Sequence, residues 1–240
     1  PETLLWALRD MRGSWRHFRL VFLCLFLSLA SVTAIQIAGS SVLKSIEAQG
    51  NIILGGDWVL RQLYQAVGSE ERSWITARGG EITDTTEMRV MLINPETEDA
   101  ALIELKSVGA SYPVYGEIRT NPAGDFHHYL QEGLVLDPNL GERLNVQLGD
   151  IVQLGEKKFK IAAWVKDEPD RAGGSRFGLA PRVFINEQDL NATQLLQPGS
   201  MTYHDMRVKW PATQNLRELK KEFNTAFPEA AWRLSDKERA

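Results

Sequence analysis

The sequence predicts an α+β fold: one N-terminal transmembrane helix, then an extramembrane domain of strand–helix–strand units with a β-rich insertion. Three observations predict it. Leu20 to Ala38 (LVFLCLFLSLASVTAIQIA) carries no charge, and a helix of that length spans roughly 28 Å, close to the hydrocarbon core of a bilayer. Beyond this run the apolar pattern alternates between strand and helix spacing. Between about residues 113 and 200 the chain becomes dense in Gly and Pro, and its apolar runs shorten.

Of the 240 residues, 43% are hydrophobic and 24% charged, a globular composition. The net charge of −4 is unevenly spread. Residues 1–20 hold Arg9, Arg12, Arg16 and Arg19 against Glu2 and Asp10, a net +2, which leaves −6 for the remainder. An acidic outer domain argues against nucleic acid as a partner, because phosphate binding needs clustered Lys and Arg. The one cysteine, Cys24, lies inside the apolar run. It permits no intramolecular disulfide and reads as a packing or lipid-facing residue.

Residues 1–19 read as an amphipathic helix at the cytoplasmic membrane surface. Leu4, Leu5, Leu8 and Met11 recur at helical spacing among Arg9, Asp10 and Arg12. Trp6 and Trp15 suit the headgroup boundary. The apolar run is longer than a signal-peptide core and ends in no A-x-A site, so the helix is read as retained. Four arginines precede it and no basic residue follows until Lys44. The positive-inside rule therefore puts the N-terminus in the cytoplasm and residues from about 44 to 240 in the periplasm. Ser28, Ser31, Thr33 and Gln36 are polar for a lone crossing and are assigned to packing against neighbouring membrane helices. Val42, Leu43 and Ile46 keep helical spacing, so residues 20–49 are read as a crossing that continues into a stalk, with Gly50-Asn51 as its end.

The outer domain follows in order. Asp57–Leu63 is a strand; residues 70–79 form a helix with Ser69 as its N-cap. Glu87–Asn94 and Ala101–Lys106 are strands flanking a turn at Pro95–Asp99. Short strands are expected at Gly133–Leu136, Ile151–Leu154, Lys158–Val165 and Arg182–Ile185. A short helix opens at Asp189, and Met201–Trp210 returns to strand. Leu216–Phe227 is an amphipathic helix with Leu216, Leu219, Phe223 and Phe227 on one face, and Ala231–Leu234 closes as a strand. Residues 50–112 and 201–240 then form one α+β lobe, and residues 113–200 a β-rich lobe inserted into it. The chain starts without Met and ends in SDKERA with no second crossing. It is read as a fragment whose C-terminal end leads back into the membrane.

Several short motifs occur in a characteristic order. They are Gly55-Gly56-Asp57, Tyr112-Pro113-Val114-Tyr115-Gly116, Thr120-Asn121-Pro122 and Leu144–Asp150. Glu168-Pro169-Asp170, Leu179-Ala180-Pro181-Arg182 and Gln197-Pro198-Gly199-Ser200 follow. With them the whole chain resembles the first part of an FtsX/MacB-type ABC transporter permease, nearest the YbbP-like branch. The resemblance implies a MacB-like periplasmic domain with a porter-like lobe and a smaller β-rich lobe. It implies a multi-pass protein of the inner membrane, working with a cytoplasmic ABC ATPase subunit and a second permease copy among membrane lipid. Such permeases couple ATP hydrolysis to export or extraction of hydrophobic and amphiphilic compounds by mechanotransmission. The branch is associated with a periplasmic thioesterase/lysophospholipase. The alternative is a regulator of a periplasmic enzyme that works by mechanotransmission and moves no cargo.

No residue set points to an enzyme, a cofactor or a metal. Gly39-x4-Lys44-Ser45 lacks the second glycine of a phosphate-binding loop. Gly173–Phe177 has Phe177 where a nucleophile elbow needs Gly. His127-His128 has no carboxylate or Cys cluster beside it. Asp167–Arg171 (DEPDR) reads as a solvated loop, with a contact point on a partner protein or on the second permease as the alternative. The prolines at 113, 122, 138, 169, 181 and 198 read as fixed joints between short strands. Phe126, Tyr129 and Phe177, aromatic residues in Gly-rich segments, form a possible apolar surface for cargo or a partner.

Overall fold

The computed structural model describes residue 19 and residues 21–36, 50–52, 54–171, 180–228 and 230–236. The chain divides into two compact units, Pro1–Gln49 and Gly50–Ala240. In the first unit the described residues 21–36 are one helix, α1. Its large apolar side chains are exposed, none less than 55%. Among the described residues no helix is long and apolar enough to cross a membrane; Leu20, Ile37 and Ala38 of the apolar run lie outside them.

The second unit runs β1 (Trp58–Leu63), α2 (Ser69–Ala77), β2 (Glu81–Ile93), β3 (Ala100–Val108), β4 (Arg119–Asn121), α3 (Phe126–Glu132), β5 (Leu134–Leu136) and α4 (Asn139–Leu144). It continues with β6 (Ile151–Leu154), β7 (Lys157–Asp167), β8 (Arg182–Asn186), α5 (Glu187–Leu190), a 3-10 turn (Asn191–Thr193), β9 (Thr202–Lys209), α6 (Leu216–Ala226) and β10 (Arg233–Asp236). The architecture is α+β.

Two sub-structures share the sheet. In the order β10-β1-β9-β2, all neighbours are antiparallel. Each strand–helix–strand unit therefore leaves a gap that a strand of the other unit fills, a split βαβ arrangement. Its apolar core lies between this sheet and helices α2 and α6. Trp58, Leu60, Met206 and Val208 from the strands meet Ile75, Leu219 and Phe223 from the helices. Aromatic contacts tie the layers together: Trp58 meets Trp210 edge-on at 5.0 Å, and Phe223 stacks on Trp232 at 4.8 Å.

The second sub-structure is closed. Strand β2 pairs β3, β3 pairs β8, β8 pairs β5, β5 pairs β7, β7 pairs β6, and β6 returns to β2 at Leu92 and Ile93. This six-stranded ring has no free edge along that circuit. Alternate residues point inward, as strand geometry dictates. Val90, Leu92, Ala101, Ile103, Leu105, Leu134, Leu136, Val152, Leu154, Phe159, Ile161, Val183 and Ile185 fill it, and Leu140 and Leu144 of α4 pack with them. Outside the ring, Phe126 and Leu130 of α3 cover Val135, Ala163, Val165 and Phe184.

The structure departs from the sequence reading in specific places. Strand β2 begins at Glu81, six residues before the expected Glu87. Its first half (EITDTT) buries Thr83 and Thr85 instead of apolar residues, so no period-2 apolar signal exists there. The N-cap of α2 is Gly68, with no side-chain cap bond, rather than Ser69. Helices α3 and α4 were not expected. Each is too short to show helical periodicity; they start where Asp125 accepts a hydrogen bond from His127 N and Asp137 accepts one from Asn139 N. Gly50 and Asn51 do not end a helix: Gly50–Ile52 and Leu54 are helical, and the stop falls at Gly55-Gly56.

Candidate functional site: a buried ionic junction

The face of strands β9, β2, β3 and β8 that points away from helices α2 and α6 and from the ring interior is charged, yet buried. Alternation puts Asp205 and Arg207 of β9, Glu87 of β2, Glu104 and Lys106 of β3 and Arg182 of β8 on that face. Each is no more than 2% exposed. Cross-strand register sets opposite charges side by side: Glu87 faces Lys106, and Glu104 faces Arg182. Onto this face folds the segment after β7. Glu168 and Asp170 are 6% and 3% exposed, which corrects the reading of a solvated loop for these two residues of Asp167–Arg171; Asp167 is exposed. Glu168 is paired with Lys106 and Arg182, and Asp170 with Lys106 and Arg207, as a buried carboxylate requires.

Lys106 is the hub. Its Nζ donates to Tyr112 Oη at 2.6 Å and to Glu168 Oε1 and Asp170 Oδ2, each at 3.0 Å. Arg182 donates from Nη1 to Glu168 Oε1 and from Nη2 to Glu104 Oε1 at 2.6 Å. Arg207 Nη1 reaches Asp170 Oδ2 at 2.5 Å, and its Nε reaches Thr85 Oγ1 at 3.4 Å. Tyr112 Oη donates to Asp170 Oδ1 at 2.7 Å. Burial pushes the Asp170 carboxyl up, but Lys106 and Arg207 outweigh it and hold Asp170 well below the usual carboxylate range. Burial would lower Arg182 and Arg207; their carboxylate neighbours raise both instead. For Glu104 burial wins over Arg182, and its carboxyl is raised. Burial, then the Asp170 and Glu168 charges, push the Tyr112 phenol well up.

A second cluster holds the point where the chain enters this unit. Gly56 N–H donates to Asn51 O at 3.1 Å and Gly55 N–H to Ile52 O at 3.2 Å, with Gly55 at φ +76°. That is a Schellman helix stop. Asp57, 6% exposed, then accepts three hydrogen bonds: from Asn51 Nδ2 at 2.8 Å, from Tyr115 Oη at 3.0 Å and from Trp210 N at 2.8 Å. Burial and the Asp57 carboxylate push the Tyr115 phenol up to about 12. The two clusters touch. A Cβ on Gly55 would sit 1.9 Å from Arg207 Nη1 and 3.1 Å from Asp170 Oδ2. A Cβ on Gly116 would sit 2.8 Å from Pro169 and 3.6 Å from Ile52.

The residues singled out from sequence fall elsewhere. Phe126 is 6% exposed and packs against Phe184 at 5.5 Å and Tyr112 at 6.5 Å, inside the core that α3 covers. Tyr129 is partly buried against the same cluster. Phe177 lies outside the described residues. The hydroxyls of Ser28, Ser31 and Thr33 each donate at 2.8 Å to the carbonyl four residues back, so their protons are used within α1. Gln36 is the last described residue of α1 and is exposed. His127 Nε2 lies 2.6 Å from Tyr112 O, while His128 meets Glu132 at 3.1 Å on the surface. Sequence reasoning passed over Glu87, Glu104, Lys106 and Arg207, and met Asp57 and Arg182 only as members of short motifs, with no charge partner assigned to them. The available signal was the charge inside otherwise apolar strands, as in ALIELK and EMRVMLIN.

The site is thus an internal cross-link between sheet, ring and incoming chain. The chain that carries it is similar to an ABC transporter permease. It is 31% identical over 208 residues, 83% of its own length, to the uncharacterized ABC transporter permease YbbP of Escherichia coli K12, and it spans 24% of that relative's length. No protein-family model matches the chain. Among solved structures it is similar to the periplasmic region of MacB from Actinobacillus actinomycetemcomitans, at 13% identity and a TM-score of 0.49, covering 78% of this chain and 92% of that one. It is also similar to the extracellular domain of the transporter YknZ from Gram-positive bacteria, at 11% identity and a TM-score of 0.47, covering 74% and 99%.

Proposed function

We propose that the chain is the N-terminal part of a permease subunit, whose outer domain moves as ATP is hydrolysed by a separate cytoplasmic ABC ATPase. The observation that carries this reading is the 31% identity to an ABC transporter permease over 83% of the chain. The fold adds support. Strand β1 starts at Trp58 and β10 ends at Asp236, and these two residues are register partners. The chain therefore enters and leaves the outer domain at one end, where Lys220 pairs with Asp236. A domain tethered at one end is suited to receive motion there.

In this reading residues 1–19 lie on the cytoplasmic membrane face, residues 20–49 cross the inner membrane and continue as a stalk, and the rest is periplasmic. Residues 50–112 with 201–240 act as the porter-like lobe and residues 113–200 as the inserted lobe. The work done is export or extraction of hydrophobic or amphiphilic compounds by mechanotransmission. Partners are the ATPase, a second permease copy, surrounding lipid and a periplasmic thioesterase/lysophospholipase.

The test uses the full-length protein with its ATPase in lipid vesicles, spin-labelled at the exposed Glu156 of both copies. A flexible Gly-rich spacer inserted near Ser41 is expected to leave membrane insertion and ATP hydrolysis intact and to abolish the ATP-driven change in label separation. Undiminished movement overturns mechanotransmission through the helix. Failure of the protein to associate with an ATPase overturns the permease reading itself.

A further inference from the structure

The segment between the preceding helix and β1 is held more firmly than a connection requires. Leu54 is 6% exposed. Gly55 and Gly56 complete the helix stop, and Asp57 N–H donates to Val208 O at 2.9 Å. Three separate parts of the chain close around it. The loop after β9 contributes Trp210 N–H to Asp57. The loop after β3 contributes Tyr115 Oη to Asp57, and Gly116 sits against Ile52. The segment after β7 contributes Pro169, against Gly116, and Asp170, whose carboxylate lies beside Gly55 and bonds Arg207. The loop after β9 belongs to the split sheet, and the segment after β7 belongs to the ring. One short elbow is therefore fastened to both sub-structures.

Only glycine fits at position 55. The backbone is left-handed there, at φ +76°, and a methyl would run into the Arg207 guanidinium at 1.9 Å. Arg207 has no cheap way to yield, because its Nη1 is bound to Asp170. Asp170 in turn is bound to Lys106 and Tyr112. Arg207 thus links the elbow to Asp170, and Asp170 links it to Lys106, the hub of the ionic junction.

We propose that the elbow formed by Asn51, Ile52 and Leu54–Asp57 is a latch. Seated on the Arg207–Asp170 pair, it carries a pull on the chain ahead of it into the split sheet and the ring together, so the outer domain answers as one body. Unseated, it releases the Glu168–Arg171 segment. The proposal rests on the force-transmitting reading for its purpose, but its geometry stands without an ATPase, so its test needs none.

The test is hydrogen–deuterium exchange on the full 240-residue chain in detergent micelles, comparing it with Gly55→Ala, Asp57→Asn and the milder Asn51→Ala. Gly55→Ala and Asp57→Asn are expected to speed amide exchange at least tenfold on both sides of the latch, at Arg207–Trp210 and at Glu168–Arg171. Ile151–Leu154 and Lys160–Val165 of the ring should keep their protection. Asn51→Ala, which removes one of three bonds to Asp57, should give a smaller change with the same pattern. Loosening on one side only, or no change at Glu168–Arg171, overturns the proposal. So does an equal rise over all strands, which would mean ordinary loss of stability; if Gly55→Ala fails to fold, Asn51→Ala decides by the same criteria. Intact latch behaviour with a failed spacer experiment would sink the transport reading alone.

Discussion

Asp170 shows how much one side chain carries here. It is 3% exposed and accepts bonds from Lys106, Tyr112 and Arg207. Two cations converge on it, so its carboxylate form is favoured far more in the folded than in the unfolded chain. The sign follows directly. A carboxyl with a lowered folded pKa adds stability above its unfolded value, about 3.9, and loses it as pH falls through the folded value. Asp170→Asn is therefore expected to cost about 3–5 kcal/mol at neutral pH, the usual penalty for removing one partner of a buried ion pair. It should also flatten the decline in stability below about pH 4. Urea unfolding followed from pH 7 down to pH 2.5 measures both; a variant as acid-sensitive as the parent would show that Asp170 is not the group being titrated. Glu104 acts in the opposite sense, since its raised carboxyl favours protonation in the fold. None of this was legible in DEPDR. A charge run between strands reads as solvent-facing until its partners are known, and those partners are 14 to 64 residues away in sequence.

At the scale of elements, legibility followed the chemistry of the buried face. Strands β3, β6, β7 and β9 bury apolar residues at alternate positions, and β1 and β8 bury unbroken apolar runs, Trp58–Leu60 and Val183–Ile185; both patterns mark strands in a sequence. Helix α6 buries Leu219 and Phe223 and packs Leu216 and Phe227 against the same core, and period 3.6 found it. The first half of β2 failed because its buried side is threonine, Thr83 and Thr85, which gives no apolar alternation to read. Helices α3 and α4 failed because seven and six residues give fewer than two full turns to read. The junction between α3 and β5 has a sharper requirement. Gly133 has an extended backbone, so its conformation suits any residue. A Cβ there would nonetheless lie 2.0 Å from Lys160 O in the backbone of β7. Gly133→Ala must push β5 and β7 apart where they pair in parallel, at Leu134 and Ile161. The expected cost is about 1–3 kcal/mol, typical of overpacking a close contact. Thermal melts of parent and variant test it; an unchanged melting temperature would mean the two strands have slack that the geometry does not suggest.

Across the whole of the Gly50–Ala240 unit, the question is whether the split sheet and the closed ring behave as two bodies or one. Strand β2 answers it in covalent terms, because it belongs to both. Residues Glu81–Met88 pair with β9 in the split sheet, Thr85–Ile93 pair with β3, and Leu92-Ile93 pair with β6 to close the ring. The ionic junction joins them again through side chains, with Arg207 of β9 bound to Asp170 beyond β7. Cooperative unfolding follows from such sharing. The expectation is specific because tryptophans are unevenly placed: Trp58, Trp74, Trp210 and Trp232 pack in the core of the split sheet and its helices, while Trp164 packs against the ring core. Leu92 is fully buried inside the ring, in a different apolar cluster from the one that holds those four indoles. Leu92→Ala should cost about 2–5 kcal/mol, as large-to-small changes in a core do. If the domain is one body, that loss appears in full in the tryptophan-monitored urea transition and coincides with the transition seen by far-ultraviolet circular dichroism. If the ring is an independent lobe, circular dichroism resolves an early phase that tryptophan fluorescence barely registers. The first outcome is the one the shared strand requires, and the second would mean that β2 is continuous in chain but not in stability.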